Sequence, residues 1–137
     1  MTLNKVIELR KAITVAIKKA HPDVVVNGKQ RSRVHYEAAP DDTPYPYIVF
    51  NLPNSLSNGV FENFVLEVDG WDAPGNGDTT ALELMMDAVD KALQRKTFVI
   101  ADNLFVSFYR DSRETITEKD SRIKHRRYTY QARTYGE

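Results

Sequence analysis

The residues best able to do chemistry in this chain are three histidines, a scatter of aspartates and a Gly-Asn-Gly tripeptide. His21, His35 and His125 fall on separate stretches, with no His-x-x-x-His pair and no Glu at the spacing a helical zinc site uses. They read as surface histidines, His21 sitting where a helix C-terminus favours a cation. Asp41, Asp42, Asp69, Asp72 and Asp78 lie in turn-like sequence, where Asp commonly accepts backbone N–H groups, so no paired acid and base can be argued from them. Gly75-Asn-Gly77 precedes a helix as a phosphate loop would, but the third glycine and the Walker lysine are missing, and it reads as a turn. No catalytic, metal-binding or cofactor-binding residue is assigned, and a non-enzyme without a cofactor is expected.

Composition narrows the classes further. A length of 137 residues at 42% hydrophobic content suits one small domain spanning 1–137. Lys plus Arg and Asp plus Glu both number 19, so the net charge is zero and no overall field draws the chain to DNA or to a membrane. The absence of cysteine excludes disulfides and thiolate chemistry. No apolar run approaches the roughly 20 residues that span a bilayer, so the protein is expected to stay in the cytoplasm until it joins an assembly.

Period then places the elements. Val6, Ile7, Leu9, Ile13, Ala16, Ile17 and Ala20 recur at helical spacing and predict a helix from about 3 to about 20, capped by Thr2 or Asn4 and stopped before Pro22. Leu82, Met85, Met86, Val89, Ala92 and Leu93 predict a second over about 80–95, with Thr80 and Glu83 as a capping box. Val24 to Gly28 reads as a strand entering an Asn-Gly turn, with Lys29 to Tyr36 as the return. On that return Lys29, Arg31 and Arg33 would share one face, as a solvated edge or as an anion contact. Pro40, Pro44 and Pro46 lead an acidic loop into a strand over Pro46–Leu52, which a polar turn at Pro53–Gly59 joins antiparallel to Val60–Trp71. Thr97–Ala101, Asn103–Arg110 and Ile123–Tyr135 complete the strands, and a long charged loop is expected over Asp111–Arg122. The fold class is α+β, a mixed or antiparallel β-sheet flanked by two main helices.

Two groups suggest contact with other chains. Tyr45, Tyr47 and Trp71 are amphipathic rings near strand ends, of the kind enriched at interfaces; Trp71 reads first as a core anchor whose N–H finds a partner, with a subunit interface as the alternative. The charged loop supplies Arg113, Glu114, Glu118, Lys119, Asp120 and Arg122 as candidates for a neighbour-contacting or lumen-facing segment.

The order of Ala39-Pro-Asp-Asp-Thr-Pro-Tyr-Pro-Tyr-Ile-Val-Phe50, then Val65-Leu-Glu-Val-Asp-Gly-Trp-Asp72, then the Ala81–Leu93 helix and a terminal strand pair, resembles the tail-completion or tail-terminator proteins of long-tailed bacteriophages. The resemblance implies a virion protein of the tail or neck, assembled in the host cytoplasm. It further implies a homo-oligomeric ring, six-fold in the family, that caps the tail tube protein, docks to the head-connector protein and lets DNA pass without specific binding. Head-closure, connector-adaptor or minor tail proteins are the alternative. A nucleic-acid-binding module using Lys29, Arg31, Arg33, Arg126 and Arg127 is disfavoured by the zero net charge.

Overall fold

Asn4 opens the first helix: its side-chain oxygen accepts the Ile7 N–H at 3.0 Å, satisfying one of the donors a helix start leaves free. The computed structural model describes residues 4–57 and 62–136, so Thr2, the other capping candidate, lies outside them. Helix α1 (Lys5–Ala20) buries Leu9, Ile13, Ala16 and Ile17, while Val6 and Ile7, which extend the apolar stripe in sequence, stay exposed. His21 ends the helix by donating its backbone N–H to the Ile17 carbonyl, and its ring Nε2 lies 2.8 Å from the Pro46 carbonyl oxygen. It is buried rather than on the surface, and burial lowers its pKa.

Strands β1 (Val24–Val26) and β2 (Lys29–Arg31) form the expected hairpin, with Asn27 at φ 52° and Gly28 at φ 77° as a primed turn requires. The return does not continue to Tyr36. Strand β3 (Val34–Tyr36) leaves the hairpin and pairs in parallel with β4 (Tyr47–Asn51). The basic stripe is therefore broken: Arg31 pairs with Asp42 at 2.9 Å, and Arg33 donates to the Pro22 carbonyl at 3.1 Å.

The remaining elements are β5 (Ser55–Ser57), β6 (Glu62–Asp72), α2 (Thr80–Leu93), β7 (Thr97–Ala101), β8 (Leu104–Thr117) and β9 (Lys124–Gly136). The main sheet runs β3-β4-β6-β9-β8-β7, with β5 also on β6, and every pairing except β3–β4 is antiparallel. Val60 and Phe61, expected to start β6, and the turn residues Asn58 and Gly59 lie outside the described residues. Alternation along the strands places Ile48, Phe50, Phe64, Leu66, Val68, Val106, Phe108, Tyr130 and Ala132 in one core with Leu82, Met86, Val89 and Leu93 of α2. Gly70 brings α2 close, because a Cβ there would stand 2.6 Å from Met86 Sδ and 2.7 Å from Met85 Cε. Tyr130 buries its ring fully and donates its hydroxyl to Asp90 at 2.7 Å, while Arg110 pairs with the same carboxylate.

Two expectations about local structure are corrected. Most of the Asp111–Arg122 loop is strand: β8 continues to Thr117 and β9 begins at Lys124, leaving residues 118–123 as the connection. Cross-strand pairs with β9, including Arg113 opposite Tyr128, Glu114 opposite Arg127 and Ile116 opposite His125, hold it extended. The capping box at α2 is also absent. Asp78 accepts both the backbone N–H and the hydroxyl of Thr80, and Glu83 instead accepts from Arg126 Nε at 2.9 Å.

Candidate assembly surface

The sheet face turned away from the helices carries the other half of the alternation, and register lines its residues into rows. One row crosses four strands: Tyr47 on β4, Trp71 on β6, His125 on β9 and Ile116 on β8. Rings stack along it, Tyr47 on Trp71 with centroids 5.4 Å apart and Trp71 on His125 at 4.3 Å, and Tyr45 extends the stack at 5.3 Å from Tyr47. The next row is Val49, Asp69, Arg127 and Glu114, so Arg127 lies between two acids.

His125 ties the rows to the β8–β9 turn. Its Nε2 is 2.7 Å from Asp69 Oδ1 and its Nδ1 is 2.8 Å from Glu118 Oε1. Two carboxylates face its two nitrogens, so each ring N–H that His125 carries has an acceptor in place. Trp71 donates its indole N–H to the same Glu118 at 3.2 Å, and Arg127 Nε donates to Asp69 at 2.8 Å, which holds the guanidinium firmly protonated. The side chains of His125 and Asp69 are each 6% exposed, so this network is dry at its centre and wet at Glu118.

The sequence-predicted residues therefore divide. Tyr45, Tyr47, Trp71 and Glu118 come together in one connected cluster. Glu114 joins its edge as the cross-strand neighbour of Arg127, and Arg113 turns to the opposite face with its guanidinium over the Tyr128 ring. Lys119, Asp120 and Arg122 form the exposed turn, where Arg122 closes on Asp120 at 2.8 Å and holds that carboxyl down at about 2. Beside the turn an open cleft of about 380 Å³ is lined by Tyr45, Pro74, Asp120, Arg122 and Ile123. Asp69, His125 and Arg127 were missed by sequence reasoning. Their common face follows from the period-two alternation of β6 and β9, but only the register shows that they touch.

The chemistry available here is cohesive. Both ring nitrogens of His125 lie within hydrogen-bond distance of carboxylates, which fixes the ring between β6 and the β8–β9 turn. Among the described residues, no group of three or more His, Cys, Asp or Glu could hold a metal ion, and no helix is long and apolar enough to cross a membrane. What the surface presents is a stiffened sheet end with stacked rings and a charged turn.

A solved chain from the virion of a native gene transfer agent particle superposes with a TM-score of 0.70, covering 98% of this chain and 100% of that chain at 13% sequence identity. No curated protein matches the sequence. The family described as Tail completion protein gp17 matches residues 9–135, nearly the whole chain, and the protein belongs to that family of bacteriophage virion structural proteins.

Proposed function

We propose that this protein caps the end of the phage tail tube and joins the tail to the head connector as a closed ring of identical copies. The observation that carries the reading is the family match over residues 9–135. The β8–β9 turn supports it physically, being an exposed charged tip whose base is locked to the sheet through Glu118, His125 and Trp71. A surface that meets two different partners gains from such stiffness, because little ordering entropy remains to be lost on docking. The chain covers the whole of the gene transfer agent virion chain, and that common fold is compatible with a place in the particle. The resemblance to tail terminators implies six copies, and Tyr45, Tyr47 and the residues around Arg122 are the contacts we assign to neighbouring proteins.

Deleting the gene from its phage or prophage and examining the lysate by electron microscopy tests this. Overlong or irregular tails beside unattached, DNA-filled heads are expected. Normal, joined particles would overturn the proposal.

A further inference from the structure

One surface takes no part in the cluster described above. Between α1 and the edge strand β7 lies an open groove of about 590 Å³ with an apolar floor that includes Val15, Phe98 and Val99. Val15 is 57% and Val99 67% exposed, unusual for aliphatic side chains lining a concave surface. Lys11, Lys19 and Lys96 stand around the groove, against a single lining acid, Glu8, which Lys11 already approaches at 3.8 Å. Strand β7 also ends the strand order, so its outer edge has no strand partner among the described residues. The groove thus calls for an occupant that is acidic, partly apolar and presented on an exposed segment.

The opposite end of the same sheet carries one. The segment from Glu37 to Asp42, between β3 and β4, exposes Glu37, Ala38, Pro40, Asp41 and Asp42. It is held in shape by Glu37 N–H donating to the Phe50 carbonyl at 2.9 Å, and by the buried Thr43, whose hydroxyl donates to the Pro40 carbonyl at 2.6 Å. Glu37 sits at φ 68°, a conformation that residues with a Cβ seldom adopt and that persists where the surroundings enforce it. Arg31 offsets one of the three acids, Asp42, and leaves the tip net negative.

We propose that the Glu37–Asp42 segment of one copy docks in the lysine-bordered groove of the next. Lysines meet carboxylates, and Ala38 and Pro40 cover Val15 and Val99. The two patches differ and lie at opposite ends of the strand order, so the contact is head-to-tail and generates a ring when the rotation closes. This inference rests on the ring reading above and supplies its interface.

The chain has no cysteine, which makes the contact testable by cross-linking in assembled particles. Ala38→Cys and Val15→Cys are placed singly and together, both at exposed positions that leave the core intact, and tails are treated with a short bis-maleimide. A ladder of covalent oligomers beyond the dimer in the double variant alone is expected. A ring visible in the particles without a ladder overturns this interface and leaves the ring standing. Dimers from either single variant would show a symmetric contact and also overturn it. Particles lacking any ring overturn both readings. Charge exchange gives an independent measurement: Lys11→Glu with Lys96→Glu should abolish joining, and adding Glu37→Lys with Asp41→Lys in the same chain should restore it. Failure of that restoration in a variant that still folds refutes the docking.

Discussion

Removing Asp69 and removing Glu118 should weaken the protein unequally, although both carboxylates face the same imidazole. Asp69→Ala takes the acceptor from His125 Nε2 at 2.7 Å and from Arg127 Nε at 2.8 Å. Breaking a buried ion pair by deleting one partner costs about 3–5 kcal/mol. Arg127 is partly exposed and has Glu67 within 3.8 Å as a second partner, so the lower end of that range, about 3 kcal/mol, applies. Glu118→Ala strips acceptors from His125 Nδ1 and Trp71 Nε1, but the Glu118 side chain is 34% exposed and water can enter behind it. Two ring nitrogens that water can partly satisfy then cost about 1–2 kcal/mol together. At this chain length about 3–5 °C of melting temperature accompany each kcal/mol, which predicts a fall near 10 °C for Asp69→Ala and near 5 °C for Glu118→Ala. Urea denaturation followed by far-UV circular dichroism gives the free energies without relying on Trp71, whose environment both substitutions alter. Equal losses, a reversed order, or both losses below about 1 kcal/mol would refute the view that His125 is clamped most tightly on its Asp69 side.

Four further outcomes are expected. Asn4→Ala should destabilise by about 1 kcal/mol in the same urea titration, since the Ile7 N–H loses its acceptor. Gly70→Ala should cost about 1–3 kcal/mol through the clash with Met86 and Met85, and a partial recovery on adding Met86→Ala would identify the clash as the cause. His21 has a folded-state pKa lowered by burial, so the unfolded chain takes up the proton first: its contribution is complete above about pH 6.5 and is lost as the pH falls through the lower folded-state value. Stability measured from pH 7.5 to 5 should decline in the wild type and decline less in His21→Gln. Arg122→Glu, at an 85% exposed side chain, should leave the melting temperature unchanged while lowering the yield of joined particles; early melting would make the turn a folding element instead.

The helices and the inner sheet face were legible in the sequence because burial imposes a period: Leu9, Ile13 and Ile17 at helical spacing, Phe64, Leu66 and Val68 at strand spacing. The second half of β8 was not. Half-buried Arg110, Ser112 and Ile116 stand among exposed residues there, and no buried apolar position recurs from Arg110 to Thr117. The β-branched run Thr115-Ile-Thr117 was the remaining local signal for a strand. The His125 cluster was hidden differently, since Asp69 and His125 are 56 positions apart and only antiparallel register makes them neighbours. Sequence could nominate Tyr47 and Trp71 by residue type, but not the order in which they stack. The capping box failed because a long-range partner, Arg126, takes Glu83 away from its local role.

The β1–β2 hairpin forms its own two-stranded sheet, joined to the rest by side-chain bonds such as that of Arg31 to Asp42 and, among the described residues, by no strand pairing with the main sheet. Isolated two-stranded ribbons are marginal in water, so this hairpin can open and reclose while the core stays folded. Amide hydrogens of Val24, Val26, Lys29 and Arg31 should therefore exchange with solvent on a faster clock than those of β6 and β9, whose exchange waits on unfolding of the whole sheet. The molecule carries two stabilities in one chain, and the lesser one belongs to the segment that leads into β3.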